Sequence, residues 1–437
     1  MSSVTFFVPE QWRNAAETGS AGLWNTGAVP SQPPPGEPAP RDGALPPSAL
    51  AGLGSRPFGV YVHVPFCATR CGYCDFNTYT ADELGSSAGF GSWLEGLRAE
   101  LDLGARVLAA GGEPVPAAGT VFAGGGTPSL LGAERLGEVL DAVRSSFGLA
   151  DGAEVTTESN PESTSPEFFE GIAAAGYTRV SLGMQSAAQH VLRVLERRHT
   201  PGRAVEAARE ARAAGFGHVN LDLIYGTPGE TDDDLRASLD AVLEAGVDHV
   251  SAYSLIVEDG TAMARKVRRG DLPMPDEDVL ADRYELLDGV LGGAGLHWYE
   301  VSNWARDDAA RCMHNIGYWR GGDWWGAGPG AHSHVGGVRW WNVKHPARYS
   351  ALLAEGASPA LAREVLDAED QRIERVMLEL RLASGLPLAV LDEAGRLAAK
   401  EAVADGLLRA DALAADRCVL TDRGRLLADG VIQRLIT

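Results

Sequence analysis

Residues 58–74 read Phe58-Gly-Val-Tyr-Val-His-Val-Pro-Phe-Cys67-Ala-Thr-Arg-Cys71-Gly-Tyr-Cys74, a valine-rich run that leads directly into three cysteines. The apolar run predicts a buried β-strand over 58–64. The chain has five cysteines in 437 residues, and three of them fall within eight positions. This clustering indicates soft metal ligands in a reducing, cytoplasmic setting and not a disulfide framework.

Downstream of this strand, short apolar runs alternate with longer segments of helical period. The predicted strands cover 58–64, 120–123, 153–158, 178–183, 218–224 and 248–254. The predicted helices cover 90–109, 132–147, 166–175, 187–213 (one helix or two) and 231–246. Six strands, each followed by a helix, predict an α/β fold with a parallel sheet. The regular repetition favours a partial (β/α)6 barrel, with a doubly wound sheet as the alternative.

The segments on either side of this region differ from it in composition. Residues 1–56 carry nine of the 24 prolines and show no apolar periodicity, so we expect a disordered extension there. The barrel is then assigned to 57–296. Residues 297–360 form an aromatic- and histidine-rich segment, since seven of the ten tryptophans and five of the ten histidines lie between positions 297 and 345.

Residues 361–437 are predicted to form a helical, winged-helix-like C-terminal domain. A short strand is expected over Arg417–Thr421 and a last helix over Asp422–Leu435. The whole chain has a net charge of −21, and this region is also acidic, which disfavours nucleic acid as a partner. The chain contains no run of 18 apolar residues, so we expect no membrane span.

The cysteine spacing allows two metal-binding interpretations. A [4Fe–4S] cluster held by three thiolates keeps one iron without a protein ligand, where a cosubstrate can bind. A structural zinc site needs four ligands, usually from paired knuckles. The sequence has no second CxxC, although His63 is a candidate fourth ligand, and Cys312 and Cys418 are distant. The spacing therefore favours the cluster over zinc.

The C-x3-C-x2-C spacing, with an aromatic residue before the last cysteine, resembles the signature of the radical S-adenosylmethionine (SAM) superfamily. The wider stretch from Tyr61 to Phe76 is similar to the branch that contains oxygen-independent coproporphyrinogen III oxidases (HemN) and heme chaperones (HemW). The resemblance extends from about Gly59 to the C-terminus. It implies a [4Fe–4S] cluster on Cys67, Cys71 and Cys74, with SAM bound at the open iron.

The same resemblance implies SAM contacts near the ends of the predicted strands. A glycine run lets backbone N–H groups approach a ligand, and an acid inside an apolar strand needs a partner. A guanidinium can donate two parallel hydrogen bonds to the SAM carboxylate; Arg197 is favoured for this, with Arg198 as the alternative. The implied SAM residues are Tyr61, Tyr73, Gly125, Gly126, Thr127, Glu158, Gln185, Arg197, Asp222, Ile256 and His332.

Two features separate the branches of this family. The coproporphyrinogen oxidases carry a fourth cysteine two residues after the third, where this chain has Phe76. The segment His314-Asn-Ile-Gly-Tyr-Trp319 matches the HNxxYW motif associated with heme chaperones. A histidine can ligate heme iron, so His314 is the heme-ligand candidate and Cys312 an alternative. The other interpretation of this aromatic stretch is a packed cap over a barrel mouth.

The resemblance therefore implies a heme chaperone that binds the cluster, SAM and heme, and hands heme to an acceptor protein. A flavodoxin, a ferredoxin and a bacterioferritin are the partner classes that the family suggests. The alternatives are an oxygen-independent coproporphyrinogen III oxidase, a radical SAM methyltransferase or cyclopropanase, and a zinc-bound scaffold. Phe76 at the position of the fourth cysteine disfavours the oxidase, so the sequence assigns no catalytic residue.

Overall fold

The computed structural model describes residues 36–84 and 88–436. Its strands form one large mixed sheet and one two-stranded ribbon. In chain order the strands are β1 (Glu37–Pro38), β2 (Phe58–Val64), β3 (Ala118–Gly125), β4 (Leu149–Ser159), β5 (Arg179–Gln185), β6 (His218–Tyr225), β7 (His249–Ser254), β8 (His297–Glu300), β9 (Asn303–Ala305), β10 (Asp323–Ala327), β11 (His332–Val335), β12 (Val338–Asn342), β13 (Ala360–Val365), β14 (Leu386–Pro387) and β15 (Arg417–Cys418).

The helices of the described residues are numbered in the same way. They are α1 (Pro47–Leu50), α2 (Ala81–Leu84), α3 (Phe90–Ala109), α4 (Gly132–Ser146), α5 (Pro166–Ala175), α6 (Gln189–Val194), α7 (Arg203–Ala213), α8 (Asp232–Ala245), α9 (Ala262–Arg268), α10 (Glu277–Gly293), α11 (Met313–Trp319), α12 (Pro346–Ala354), α13 (Ala368–Glu379), α14 (Glu393–Ala404), α15 (Ala410–Ala414), α16 (Asp422–Leu426) and α17 (Ala428–Ile436). No helix among them is long and apolar enough to cross a membrane.

Strands β2 to β7 lie side by side in chain order, and every neighbouring pair is parallel. The helices that connect them pack one on the next, from α3 through α4, α5, α7 and α8 to α10. A doubly wound sheet would reverse its strand order at a switch point, and these six strands do not. The predicted partial barrel is therefore confirmed, and the segment predicted as one helix or two contains α6 and α7.

The two faces of these six strands carry different residues because side chains alternate along a strand. Val60 and Val62 of β2 and Leu221 of β6 point outward into the main apolar core beneath the helices. The residues between them point into the barrel, and many are polar, such as His63 and Asp222. The alternation thus places the predicted site residues on the inner face.

The aromatic- and histidine-rich segment extends the same sheet at both edges and does not form a separate layer. Strand β10 pairs in parallel with β2, and β11, β12 and β13 follow as antiparallel strands. At the other edge, the β8–β9 hairpin pairs with β7. The barrel sheet therefore does not end at position 296.

The prediction of a disordered extension over 1–56 is wrong for residues 36–56. Strand β1 pairs with β13, and Ala49, Leu50 and Leu53 are buried in the main core. These few apolar side chains pack into the main core, a tertiary contact that their irregular spacing in the sequence does not reveal. The remainder of the predicted extension, residues 1–35, lies outside the described residues.

The C-terminal region from α13 to α17 has its own apolar cluster, which includes Leu380, Leu408 and Ile432. Its ribbon pairs β14 with β15 in antiparallel fashion. The last predicted helix is divided into α16 and α17. The winged-helix-like arrangement of this region stays a prediction.

Candidate functional site

The cysteine loop follows β2 at the carboxyl end of the parallel strands. The glycine loop follows β3 at the same end, Glu158 lies near the end of β4, and Gln185 ends β5. The carboxyl ends of parallel strands meet at one rim, which is where ligands bind in barrel folds. The fold therefore gathers at this rim most of the residues that the resemblance implies.

The three cysteine thiols lie close enough together to interact electrostatically. All three are partly exposed. Thr127 Oγ1 donates to the sulfur of Cys67 at 3.8 Å, and Arg197 Nη1 donates to the sulfur of Cys71 at 3.6 Å. Burial raises the pKa of Cys67 and raises that of Cys74 to about 12. A positive ligand such as an iron centre would remove these protons, because metals bind the thiolate form.

The glycine loop packs directly against the cysteine loop. Gly125 has φ +109°, and a Cβ there would lie 2.6 Å from the ring of His63. A Cβ on Gly126 would lie 2.4 Å from the carbonyl oxygen of Phe66, the residue before Cys67. Only glycine allows this close approach. The backbone N–H of Gly125 donates to Glu158 at 2.9 Å, so the loop is also joined to β4.

Arg197, and not the exposed Arg198, points into this site. Besides Cys71, its guanidinium donates to the carbonyl oxygen of Gly183 at 3.1 Å and to His199 Nε2 at 2.9 Å. Burial and the nearby guanidinium lower the pKa of His199 to about 4, which keeps the imidazole neutral and able to accept. The charge of Arg197 is thus held beside the cysteine loop.

Gln185 adopts a left-handed backbone conformation, with φ 68°. A non-glycine residue in this region costs on the order of 1 kcal/mol and is uncommon. The pairing of β5 with β6 shifts register between Gly183 and Gln185. At this irregular end of β5, the Gln185 side chain does not follow the regular in-and-out alternation of a strand.

Asp222 is buried in the barrel and already has protein partners. It accepts hydrogen bonds from Asn220 Nδ2 at 2.7 Å and from Ser181 Oγ at 3.1 Å. Glu158 lies close enough to interact with it electrostatically, and burial raises the pKa of Glu158. The two acids therefore form a polar patch on the inner wall.

The remaining residues implied by the resemblance lie around this patch. Tyr73 packs in a small apolar cluster with Ile224 and Leu255, and its hydroxyl is hydrogen-bonded to Arg197. His332 begins β11, where its ring stacks on Trp341. Ile256 follows β7 and is 54% exposed, so it contributes an open apolar edge.

A hydrogen-bonded chain at this rim was not identified from the sequence. The hydroxyl of Tyr61 is bonded to His63 Nδ1 at 3.1 Å, and His63 Nε2 is bonded to the backbone oxygen of Asn77 at 2.9 Å. Asn77 Nδ2 donates to the backbone oxygens of Pro329 and Lys344. His63 is therefore a structural link, and it is not a fourth zinc ligand. The signal in the sequence was the alternation that places Tyr61 and His63 on one face of β2.

The donor set at this rim fits the cluster and SAM better than a single metal ion. Among residues 36–84 and 88–436, no three His, Cys, Asp or Glu side chains converge as one ion would require. Three soft thiols on one loop, with a guanidinium and a glycine loop beside them, suit a [4Fe–4S] cluster next to an amino acid carboxylate.

The HNxxYW motif forms α11, which closes the amino end of the barrel. The backbone N–H groups of Met313 and His314 donate to Glu154, a residue of β4. Glu154 in turn forms an ion pair with Arg179 of β5 at 3.0 Å. The motif is therefore anchored inside the barrel at the end opposite the cysteines.

The predicted role of His314 as heme ligand is not supported by its surroundings. Its Nδ1 is bonded to Thr120 Oγ1 at 2.8 Å and its Nε2 to the Tyr318 hydroxyl at 2.8 Å. The side chain is 3% exposed, and burial lowers its pKa to about 3. Because both ring nitrogens have partners, neither is free to bind iron. The packed-cap interpretation describes this histidine better.

Other residues of the motif also form hydrogen bonds within the protein. Asn315 and Trp319 both hydrogen-bond to Glu300, whose pKa burial raises to about 7. Cys312, the alternative ligand, is 3% exposed, and its thiol contacts Glu154 at 3.6 Å. Burial raises its pKa well above the ordinary value. The thiol is thus protonated and enclosed.

Known proteins resemble this chain over most of its length. A family profile described as the Radical SAM superfamily matches residues 61–242. The chain is 60% identical over 387 residues to "Heme chaperone HemW" of Mycobacterium tuberculosis, which covers 89% of this chain and 97% of that protein. It is 32% identical to "Heme chaperone HemW" of Escherichia coli over 391 residues, 86% of this chain and 97% of that protein.

Among solved structures, the coproporphyrinogen III oxidase HemN of Escherichia coli has the same fold, with a TM-score of 0.74. The two chains are 23% identical, and the match covers 90% of this chain and 92% of the other. Radical SAM proteins as a family carry a [4Fe–4S] cluster and SAM. The near full-length identity shows that the chain belongs to the HemW heme-chaperone family of the radical SAM superfamily.

Proposed function

We propose that the chain is a heme chaperone that holds a [4Fe–4S] cluster and SAM, binds heme and transfers it to an acceptor protein. The observation that carries the proposal is the 60% identity to a heme chaperone along 89% of the chain. Phe76 at the position of the oxidases' fourth cysteine supports the same branch. The cargo is heme, so the central property is reversible binding and not turnover.

Cys67, Cys71 and Cys74 would hold the cluster in this proposal, which leaves one iron for SAM. The group supplies redox chemistry and an open coordination site when it is bound. Thr127 and Arg197 donate to two of the sulfurs, which stabilises the thiolate charge. Arg197 also provides the positive charge that suits the SAM carboxylate.

SAM would extend from this iron across the inner wall. The Gly125–Thr127 loop lies beside the cysteine loop, where backbone groups can meet the SAM amino group. Glu158 and Asp222 are acceptors for hydroxyl and amino groups, and Gln185 closes the same rim. Tyr61, Tyr73, Ile256 and His332 complete the proposed pocket.

A paired assay on one anaerobic preparation tests the function. Hemin is added to the reconstituted full-length protein, and the Soret band is followed; coproporphyrinogen III is then supplied with SAM and a reductant. We expect saturable heme binding and no protoporphyrinogen. Accumulation of 5′-deoxyadenosine and protoporphyrinogen with that substrate, without heme binding, would instead identify an oxidase.

The acceptor and the electron donor are proposed only by class. The net charge of −21 disfavours nucleic acid as a partner, and a flavodoxin, ferredoxin or bacterioferritin fits the family context. Transfer is measured by mixing heme-loaded chaperone with an apo-acceptor and recording the spectrum of the acceptor. Because free heme also partitions between proteins, a transfer rate constant that is independent of the acceptor concentration would indicate release of free heme and argue against direct transfer.

A further inference from the structure

A cavity of about 570 Å³ opens at the amino end of the barrel. The cysteines are at the other end, since they follow the carboxyl end of β2. Residues before or at the start of β2, β3 and β10 form its walls, together with one side of α11. Its volume lies within the range of roughly 300–1,000 Å³ that is usual for ligand pockets. The barrel therefore has a second ligand-sized opening that the cluster and SAM do not use.

The lining of this cavity suits a flat apolar ligand. Phe58, Tyr318 and Trp324 contribute aromatic surface to the cavity. Gly119 and Gly317 also line it and leave space because they have no side chain. A macrocycle can lie against such rings. Arg56 at the same cavity is ion-paired with Asp323 at 2.9 Å, and its side chain stays 32% exposed. Asp323 balances this charge, and the exposed part of the guanidinium can still donate a hydrogen bond to a carboxylate side chain of the ligand.

Met313 is the exposed soft ligand of this cavity. It begins α11, lines the opening and is 45% exposed, whereas its neighbour His314 is 3% exposed. A methionine in this position does not fill a core. Its thioether is polarizable and is an established type of heme axial ligand.

We propose that heme binds in this amino-end cavity with the sulfur of Met313, and not His314, as an axial ligand to iron. The inference rests on the proposed heme-chaperone function. The sulfur donates a lone pair to iron and displaces water, while His314 keeps Thr120 and Tyr318 as partners. Because one thioether binds only one face of the heme iron, the other face stays available to an acceptor protein.

The test is an anaerobic hemin titration of the full-length protein and three variants. Met313→Leu keeps the size and apolar character of the side chain but removes the sulfur. Ala117→Trp, at an exposed position of the cavity wall, obstructs the opening. Met274→Leu is the matched control, because Met274 is 61% exposed and is not among the lining residues. Far-UV circular dichroism checks that each variant is folded.

We expect Met313→Leu to weaken heme binding about tenfold or more and to alter the axial-ligand signature of bound heme in magnetic circular dichroism. Ala117→Trp should weaken binding similarly, and Met274→Leu should match the wild type. If the wild type binds heme and Met313→Leu keeps its affinity and spectrum, the inference is overturned while the chaperone function stands. If the wild type binds no heme, the proposed function fails and the inference with it.

Discussion

Inward-facing side chains of the parallel strands form both ends of the barrel, but the polar residues at the two ends have different surroundings. At the carboxyl end, partly exposed thiols and a guanidinium lie among loops with unusual backbone, including Gln185 at φ 68° and Gly125 at φ +109°. At the amino end, Glu154 and Arg179 are paired beneath an inserted helix. The polar groups at the carboxyl end are arranged to bind a ligand. At the amino end most polar groups are paired with each other, and the cavity beside Met313 is the open part.

This difference shows what the HNxxYW motif does physically in this fold. The polar groups of the HNxxYW residues form hydrogen bonds with Thr120, Glu154 and Glu300. The motif therefore shapes the amino-end cavity by fixing α11, and the exposed Met313 just before His314 lines that cavity. In our proposal the iron ligand is Met313, whereas residue type alone favours His314.

The largest expected effect is loss of the cluster at the carboxyl end without any change in heme binding at the amino end. Cys67→Ala, Cys71→Ala or Cys74→Ala should abolish the iron–sulfur chromophore, because each removes one of the three proposed cluster ligands. Heme affinity should stay unchanged, since the proposed heme site is at the opposite end. Visible spectra with iron and sulfide analysis measure the first property, and hemin titration measures the second.

Cys312→Ala is the control for this prediction. Its thiol lies in the barrel but contacts Glu154 and not the cysteine loop, so the chromophore should persist. Loss of the cluster in Cys312→Ala, or loss of heme binding in the cluster variants, would mean that the two ends are not independent.

The next largest effect is on stability at the amino end. Arg179→Met should lower the free energy of unfolding by about 3 kcal/mol, because it leaves Glu154 without its buried counter-charge. Urea denaturation of the apoprotein measures this value. Arg203→Met is the comparison, since the Arg203–Glu210 pair is more exposed and should contribute less. Equal losses in both variants would contradict the importance of burial here.

A smaller effect is expected on SAM affinity at the carboxyl end. Arg197→Lys removes the forked geometry of the guanidinium and its contacts with Cys71, Gly183 and His199, so SAM should bind about tenfold more weakly. Equilibrium dialysis with the reconstituted protein checks this. The exposed neighbour Arg198 supplies the matched variant Arg198→Lys, which should bind SAM like the wild type.

The smallest expected effect is a pH dependence of stability. Glu100 accepts hydrogen bonds from Gly328 N, Asn342 Nδ2 and the Tyr349 hydroxyl, and burial raises its pKa to about 7. The folded state then binds this proton more tightly than the unfolded state. Its stabilising contribution is full below about pH 4.5 and is lost as the pH rises through about 7.

Glu100→Gln should reduce this slope, which urea midpoints between about pH 5 and pH 8 would show. Glu300 has a similarly raised pKa, so part of the slope should remain in the variant. A variant with an unchanged slope would indicate that Glu100 stays ionised in the folded protein. The comparison matters for the carboxyl end because Gly328 packs against His63 there.

Much of the fold followed from local pattern. Each of the six barrel strands was predicted near its observed position, because buried parallel strands give short apolar runs between helical segments. Residues 36–56 were mispredicted, since their ordering depends on three apolar side chains and a two-residue pairing with distant β13. Strand β10 was likewise missed as a barrel neighbour, because its partner β2 lies more than 250 residues earlier.

The sequence by itself determined the cysteine loop, the order of the βα units and the family, because these depend on short spacings and local periodicity. Only the tertiary structure decided which of Arg197 and Arg198 faces the site, that His63 and His314 are fully hydrogen-bonded, and that Met313 borders an open cavity. These outcomes depend on partners far away in the chain, such as Thr120 for His314. Burial and hydrogen bonding, and not residue type, determine whether a side chain can serve as a ligand.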